Sequence, residues 1–355
     1  MLGASALSRC AEQLVRRCGI VNRVKLLVLG GTQFVGRTLA EEAVEAGWDV
    51  TVFNRSGSAP SSGMAALQGD RTHEGGLEAL TTGRWDVVVD TWSWAPRAVS
   101  AAARTLTDRT DRYVYISSRS VYRDPVPAGS TESHRTVECD PGEDTFDDYA
   151  RAKAGAEEAV RRVFDHRSLV VRPGLILGPH ENIGRLPWWL NTIAEGGRTP
   201  VPGPESLNLQ YIDARDLARW TLLASERGLS GDYDAVSVSG HATMGTFLAA
   251  CVRATHSDAD LVWLDPSTLE SDGVTPWIDF PVWIPPGPDH DMMHGSDVSK
   301  SHSAGLVCRP VEETVGDTWE WLRRLGRAAP QRADRRPVGM SRARLNSLLD
   351  SPTMK

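Results

Sequence analysis

One apolar run, Val24–Leu29, breaks at Gly30-Gly31 and passes at once into apolar residues at helical spacing: Val35, Leu39, Ala43 and Val44, stopping at Gly47. A strand that ends in glycines and feeds a helix directly constrains a chain more than any compositional figure. It opens a strand–helix–strand unit, whose next strand must lie parallel to the first. The pattern then repeats. Asp49–Phe53 and Asp86–Val89 read as strands, with a weaker candidate near Leu67. Ala95–Leu106 reads as a helix, Tyr113–Ser117 as a strand, Phe146–Phe164 as a long helix and Leu169–Arg172 as a strand. Strands alternating with helices at this spacing predict an α/β fold with a parallel sheet.

The glycine-rich turn, Gly30 to Gly36, has the context that gives such a turn meaning. Glycine lets the backbone turn tightly and approach a pyrophosphate, and the helix N-terminus offers free N–H groups to the anion. The fold class expected is therefore a Rossmann-type doubly wound parallel sheet that binds a dinucleotide through Gly30, Thr32, Gln33, Phe34, Val35 and Gly36. The second strand ends in Asn54-Arg55. An acidic residue there would suit the ribose of NAD, whereas an arginine suits a 2′-phosphate, so NADP is the preferred cofactor and NAD the alternative. Asp70, after Gly69, is placed to accept a hydrogen bond from an adenine amino group. The carboxyl ends of later strands add Asp90, Thr91, Trp92, Ser117 and Pro173 to the cofactor-binding set.

Tyr149 and Lys153 sit four apart on the long helix and so share a face. A phenol titrates near pH ~10, and a neighbouring ammonium lowers that value toward useful acid–base chemistry. The chain has only four lysines, Lys25, Lys153, Lys300 and Lys355, so this pairing carries weight. Ser118, just past a strand's carboxyl end, could polarise a substrate carbonyl. The catalytic set read from the sequence is Ser118, Tyr149 and Lys153, with Tyr149 and Lys153 also touching the cofactor.

After Pro173 the texture changes. Proline and tryptophan become frequent, and helices remain legible at Asp213–Ser225, Thr243–Thr255, Val311–Leu325 and, in an Arg-rich tail, Ser341–Asp350. The organisation expected is an extension over 1–23 and a nucleotide-binding domain over 24–173, with further sheet and helix contributions from about 205–240. A mainly substrate-binding region over 174–325 and a tail over 326–355, solvated or loosely packed, complete it. Met1–Asn22 lacks a continuous apolar core and reads as an extension rather than a secretory leader.

In these landmarks the chain resembles the extended short-chain dehydrogenase/reductases, the NAD-dependent epimerase/dehydratase family. The resemblance runs from about Val24 to Leu325, through Ile116–Tyr122, Thr131-Glu132-Ser133, Tyr149–Lys153, Val171–Gly174, Gly178-Pro179 and Gln210–Ala218. It implies Tyr149 as acid–base, Lys153 as its electrostatic partner and Ser118 as donor to the carbonyl, and it makes Asp216 the start of a structural helix in the substrate region. Two departures stand out. Gln33 replaces the middle glycine of the family turn, which is similar to the atypical branch containing chloroplast stem-loop-binding proteins. Arg119 follows Ser118 where the sugar-nucleotide dehydratases place a Thr-Asp-Glu run, so dehydratase chemistry is not expected.

The expected function is hydride transfer to or from a carbonyl or alcohol carbon of a small molecule. Nucleotide-sugar epimerisation by the same residues is the first alternative, and a non-catalytic RNA-binding relative is the second. A net charge of −7 and a pI near 5.8 give no attraction to nucleic acid or anionic membrane. No apolar run approaches the ~18 residues of a membrane span. The scattered cysteines suit a reducing cytoplasm. The partner expected is a small-molecule substrate, with a homodimer as the candidate assembly. His290 and His294, four apart beside Asp289 and Asp291, have no evident third ligand, and no metal is expected. They read as part of a loop near the pocket mouth. Trp92 and Trp94 either border the nicotinamide site or pack in the core, and Trp188, Trp189, Trp277 and Trp283 either line a substrate pocket or, as tryptophan more often does, belong to core or interface.

Overall fold

The computed structural model describes residues 23–144 and 147–350. The extension Met1–Asn22 and Phe146, the expected start of the long helix, lie outside them. Six strands run in chain order: β1 (Lys25–Leu29), β2 (Asp49–Asn54), β3 (Met64–Gln68), β4 (Trp85–Asp90), β5 (Thr110–Ile116) and β6 (Ser168–Pro173). A seventh, Gly231–Ala235, completes a sheet ordered from it through β6, β5, β4, β1 and β2 to β3, with every pairing parallel. The order reverses between β1 and β4. In sheets of this kind a ligand sits at that reversal, beyond the carboxyl ends of the strands.

Both faces of the sheet are covered, which is why its strands are apolar on alternate residues of both faces. On one face Leu26, Val28, Val89 and Val114 pack with the helices Phe34–Glu45 and Ala214–Glu226. On the other, Leu27, Val88, Tyr113 and Tyr115 pack with Pro96–Leu106 and Tyr149–Phe164. The helix carrying Asp216 thus flanks the sheet rather than the substrate region. Its N-cap is Asp213, whose carboxylate accepts from the backbone N–H of Arg215, while Asp216 pairs with Arg309 at 2.7 Å.

A second core gathers behind the cleft. Trp189 stacks on Phe280 at 5.7 Å, and Leu190, Phe247, Trp283 and Leu322 surround them, all fully or nearly fully buried. Trp189 donates to the Pro281 carbonyl and Trp283 to that of Gly203. Trp189 and Trp283 are therefore core, as a tryptophan usually is, and Trp188 packs on the same cluster; of the four offered as pocket lining, only Trp277 faces the cleft. The tail departs further from expectation. Its short helix, Arg342–Leu349, buries Leu345 and Leu348 in this core, and the segment before it lies across the cleft mouth. Among the described residues no helix is long and apolar enough to cross a membrane.

Candidate active site

A cleft of about 1030 Å³ opens over the carboxyl ends of β1, β2, β4 and β5. Its floor is the glycine turn. Gly30 adopts φ +97°, a conformation that L side chains avoid, and a Cβ there would lie 2.6 Å from the Thr91 hydroxyl. A Cβ on Gly36 would sit 2.4 Å from the Gly30 carbonyl oxygen. Both glycines keep open a cradle that any side chain would close, with the N-terminus of Phe34–Glu45 behind it. The residues present therefore fit a dinucleotide. Gln33 turns its amide oxygen to the side-chain N–H of Asn182 at 3.3 Å, so the departure from the usual glycine becomes a tie between the two halves of the molecule.

At the far end of β2 the Asn54 side chain is closed on its own loop. It accepts from the Ser56 N–H and hydroxyl and donates to the Ser58 carbonyl. Arg55 is exposed at the cleft edge and forms no ion pair among the described residues. Asp70 accepts from the N–H and hydroxyl of Thr72, which hold its carboxyl below the ordinary range; Arg55 and His73 pull in the same direction. Thr32, Phe34, Val35, Thr91, Trp92, Ser117 and Pro173 also line the cleft.

Asp90 does not line it. The residue is fully buried, and its carboxylate is spent on the Arg71 guanidinium (2.9 and 2.8 Å), the Tyr113 hydroxyl (2.7 Å) and the Trp92 N–H (2.9 Å). Its place in the expected cofactor-binding set is corrected accordingly. A buried carboxylate needs such partners, and through them it fixes the loop that carries Trp92. Arg71 was missed by sequence reasoning. Its guanidinium lies 5.1 Å from the Trp92 ring, under the cleft wall.

The three expected catalytic residues come together. Ser118 caps the short turn Arg119–Val121, accepting from the Ser120 N–H and donating to the Ser120 hydroxyl at 3.1 Å, and it lines the cleft beside the Tyr149 phenol. Lys153, 2% exposed, donates to the carbonyls of Trp92 and Ile116, both at 2.7 Å, and lies 6.0 Å from the Tyr149 ring centre. Burial lowers its pKa to about 7, against the pull of Asp90 and Glu157. Burial raises the Tyr149 phenol above its ordinary value. The groups that oppose this are Ser118, Arg335, Arg185 and Arg332. The expectation that Lys153 depresses the phenol is not what the geometry shows, because its ammonium is turned to two carbonyls. The Ser117 hydroxyl points away too, donating to buried Glu157 at 2.6 Å, which is held by Arg172.

Arg119 braces the opposite wall. It donates to the carbonyls of Met292 and Met293 and to Ser296, fixing two methionines that line the cleft. Those methionines belong to a helix, Pro288–His294, not to a loop as expected; Pro288 at its first turn starts it. Its histidines are structural. His294 accepts from the Gln210 N–H, and burial drives its pKa down to about 3. His290 meets the Asn208 carbonyl at 2.8 Å. No cluster among the described residues could hold a metal ion.

The family model described as the NAD dependent epimerase/dehydratase family matches residues 26–238. The chloroplast stem-loop binding protein of 41 kDa b from Arabidopsis thaliana is 27% identical over 250 residues. That match takes in 65% of this chain and 63% of the relative, less than two thirds of the relative's length. The Bordetella bronchiseptica enzyme WbmH, solved with NAD+, superposes with a TM-score of 0.63 at 17% identity, over 86% of this chain and all of that one. UDP-glucose 4-epimerase from Thermotoga maritima, solved with UDP-glucose, gives 0.61 at 17% identity, over 85% and 99%. At such identities the superpositions establish the fold.

Proposed function

The chain belongs to the NAD dependent epimerase/dehydratase family, and from that premise we propose that it moves hydride to or from a carbonyl or alcohol carbon of a small molecule, with Tyr149 as acid–base. The observation that carries the reading is that Tyr149, Ser118 and Lys153 line one cleft together with the glycine turn. The cofactor would be held by Gly30, Thr32, Gln33, Phe34, Val35 and Gly36, with Asn54, Arg55, Asp70, Thr91, Trp92, Ser117, Lys153 and Pro173 around it. Bound NAD or NADP supplies the hydride acceptor, or in its reduced form the donor. In reduction the phenol O–H gives its proton to the substrate oxygen as the carbonyl carbon gains hydride, and in oxidation the phenolate takes the hydroxyl proton as the C–H bond breaks. Ser118 orients that oxygen. Lys153, protonated, has one N–H left after its two carbonyl bonds, and that donor serves the ribose side of the site.

Arg55 supports NADP over NAD as the preferred cofactor, since its guanidinium is free at the cleft edge while Asn54 is locked in its turn. The test of the mechanism is Tyr149→Phe, which removes only the transferable proton. Single-turnover hydride transfer, followed by nicotinamide absorbance, should fall by ~10²–10⁴-fold with cofactor binding intact. Wild-type rates in that variant would move the proton to another group.

Epimerisation is the second reading, favoured by the epimerase among the structural neighbours. Reduced cofactor accumulating in proportion to substrate would count against it, and inversion without accumulation would count for it. The relative named for stem-loop binding motivates a third measurement. With a net charge of −7, affinity for a stem-loop RNA should be weak and collapse with added salt. Tight binding at physiological salt would overturn the enzymatic reading in favour of an RNA-binding one.

A further inference from the structure

The segment between the helix Val311–Arg324 and the last helix is pinned at both ends. Arg327 bonds the side chain and carbonyl of Asn191, and the Arg332 N–H donates to the Asn182 carbonyl. Beyond the cleft, the N–H groups of Gly339 and Met340 donate to Ile278 and Asp279, and Trp188 donates to the Met340 carbonyl. What lies between forms a wall of the cleft and carries three arginines, Arg332, Arg335 and Arg336.

Two of these guanidiniums lie against aromatic rings, Arg332 at 5.5 Å from Trp94 and Arg335 at 5.4 Å from Tyr149. From the other side Arg185 lies 5.3 Å from Trp277. The matching negative charge is scant. Asp334 is the one carboxylate lining this end among the described residues; it pairs with Arg332 at 2.7 Å and reaches Arg335 at 4.0 Å. Arg185 is partly buried and forms no ion pair among the described residues. The nearby carboxylate Glu181 is fully buried and accepts from the backbone N–H groups of Arg185 and Leu186; its charge supports the Arg185 guanidinium without a direct ion pair, while Arg335 repels it. Guanidiniums drawn together in a partly dehydrated wall repel one another and forgo water, unless an anion joins them. An arginine held flat against a ring is also pre-organised for the paired N–H contacts that oxyanions accept.

We propose that Arg185 and Arg335, assisted by Arg332, form a subsite for an anionic oxygen group, carboxylate or phosphate, carried by the substrate close to its reacting carbon. The proposal rests on the reading of Tyr149 as the centre of the chemistry, and it narrows the substrate to acids or phosphate esters whose charge lies beside the carbonyl or alcohol. The short distance from Arg335 to the Tyr149 ring sets that proximity.

The test titrates the NAD-saturated protein, in which the glycine turn is filled, with inorganic phosphate and separately with malonate, read by calorimetry. Wild type should bind at least one probe saturably in the millimolar range, and the tighter of the two identifies the group. Arg185→Gln and Arg335→Gln should each weaken that probe by about tenfold or more, with melting temperature and NAD affinity unchanged. Arg185→Lys should recover only part, since an ammonium cannot make the paired contact. Tyr149→Phe should leave the probe's affinity within about twofold, so turnover of that variant and anion binding by the arginine variants report on the two readings separately. Wild-type affinity in both glutamine variants, or no saturable binding of either probe, would overturn the subsite.

Discussion

The two ends of the cleft are built from different materials. The nucleotide end is backbone: a turn of seven residues whose glycines hold open a cradle, set on β1 and the helix that follows it. The substrate end is side chain, drawn from Ser118, Tyr149, Arg185, Trp277, Met293 and Arg335, residues scattered over more than half of the sequence. The family model covers residues 26–238 and so takes in the first end whole. It stops short of Trp277, the two methionines and the arginine-bearing wall. The glycine-turn end is thus local in sequence and lies within the family match, whereas the other end is non-local and draws in part on residues beyond it.

The comparison breaks most directly at Gly30. If the nucleotide end works through backbone geometry, Gly30→Val fails twice, through the φ of +97° and through the contact with Thr91. Cofactor affinity should drop by roughly a hundredfold or more, and the rise in melting temperature that a ligand confers by mass action should vanish. Phosphate or malonate binding at the arginines should change little. A variant that is still stabilised by NAD as the wild type is would show that the turn does not carry the pyrophosphate.

The same contrast explains what the sequence discloses. The strands β1, β2, β4, β5 and β6 are apolar runs with turn residues at their ends, and each lies where periodicity places it, within a few residues. Tyr149 and Lys153 are legible because a spacing of four on a helix is a local fact. Asp90 misleads because its position at a strand's carboxyl end is shared by groups that face ligand and groups that face inward. Only the burial of Arg71 and Tyr113 beside it decides between them. The tail is misread for a related reason. Its arginines and prolines have no period, and nothing local says that Gly339 and Met340 will bond Ile278 and Asp279 across the cleft. The helix Pro288–His294 spans too few residues to show a periodic face, and Arg185 looks like any polar residue at a helix start until Trp277 is brought against it.

A milder test addresses the edge where backbone gives way to side chain. Asn54 spends its amide on the loop, so Arg55 is the group there free to meet a 2′-phosphate. Arg55→Ala should weaken NADP by about tenfold, the scale of one charged hydrogen bond, and leave NAD nearly unchanged. Binding of both nucleotides, measured side by side, checks it. Equal losses would mean that the arginine acts on the cleft's general field, or on Asp70, instead of reading the phosphate.

The smallest effect separates Lys153 as a structural group from Lys153 as a charge. Its ammonium is buried between the ends of β4 and β5, with its pKa lowered to about 7 from the ordinary 10.5. In the unfolded chain the group keeps its proton up to its ordinary value, so between about pH 7 and 10.5 the unfolded state binds more protons than the folded one. Stability then rises with pH across that window, because the cost of burying the charge is fully present below pH 7 and is relieved as the amine becomes neutral. A neutral amine still has two N–H groups for the carbonyls of Trp92 and Ile116, so those bonds survive the change. Lys153→Met has no group that titrates there. The melting temperature of wild type relative to this variant should therefore climb from pH 7 to 10, by about 2 °C per pH unit at most, and stay level between pH 5 and 6. Parallel curves would mean that the ammonium keeps its ordinary pKa in the folded protein, fully compensated by Asp90 and Glu157. Lys153 would then face the cofactor as a permanent cation, and the middle of the cleft would carry fixed positive charge as both its ends do.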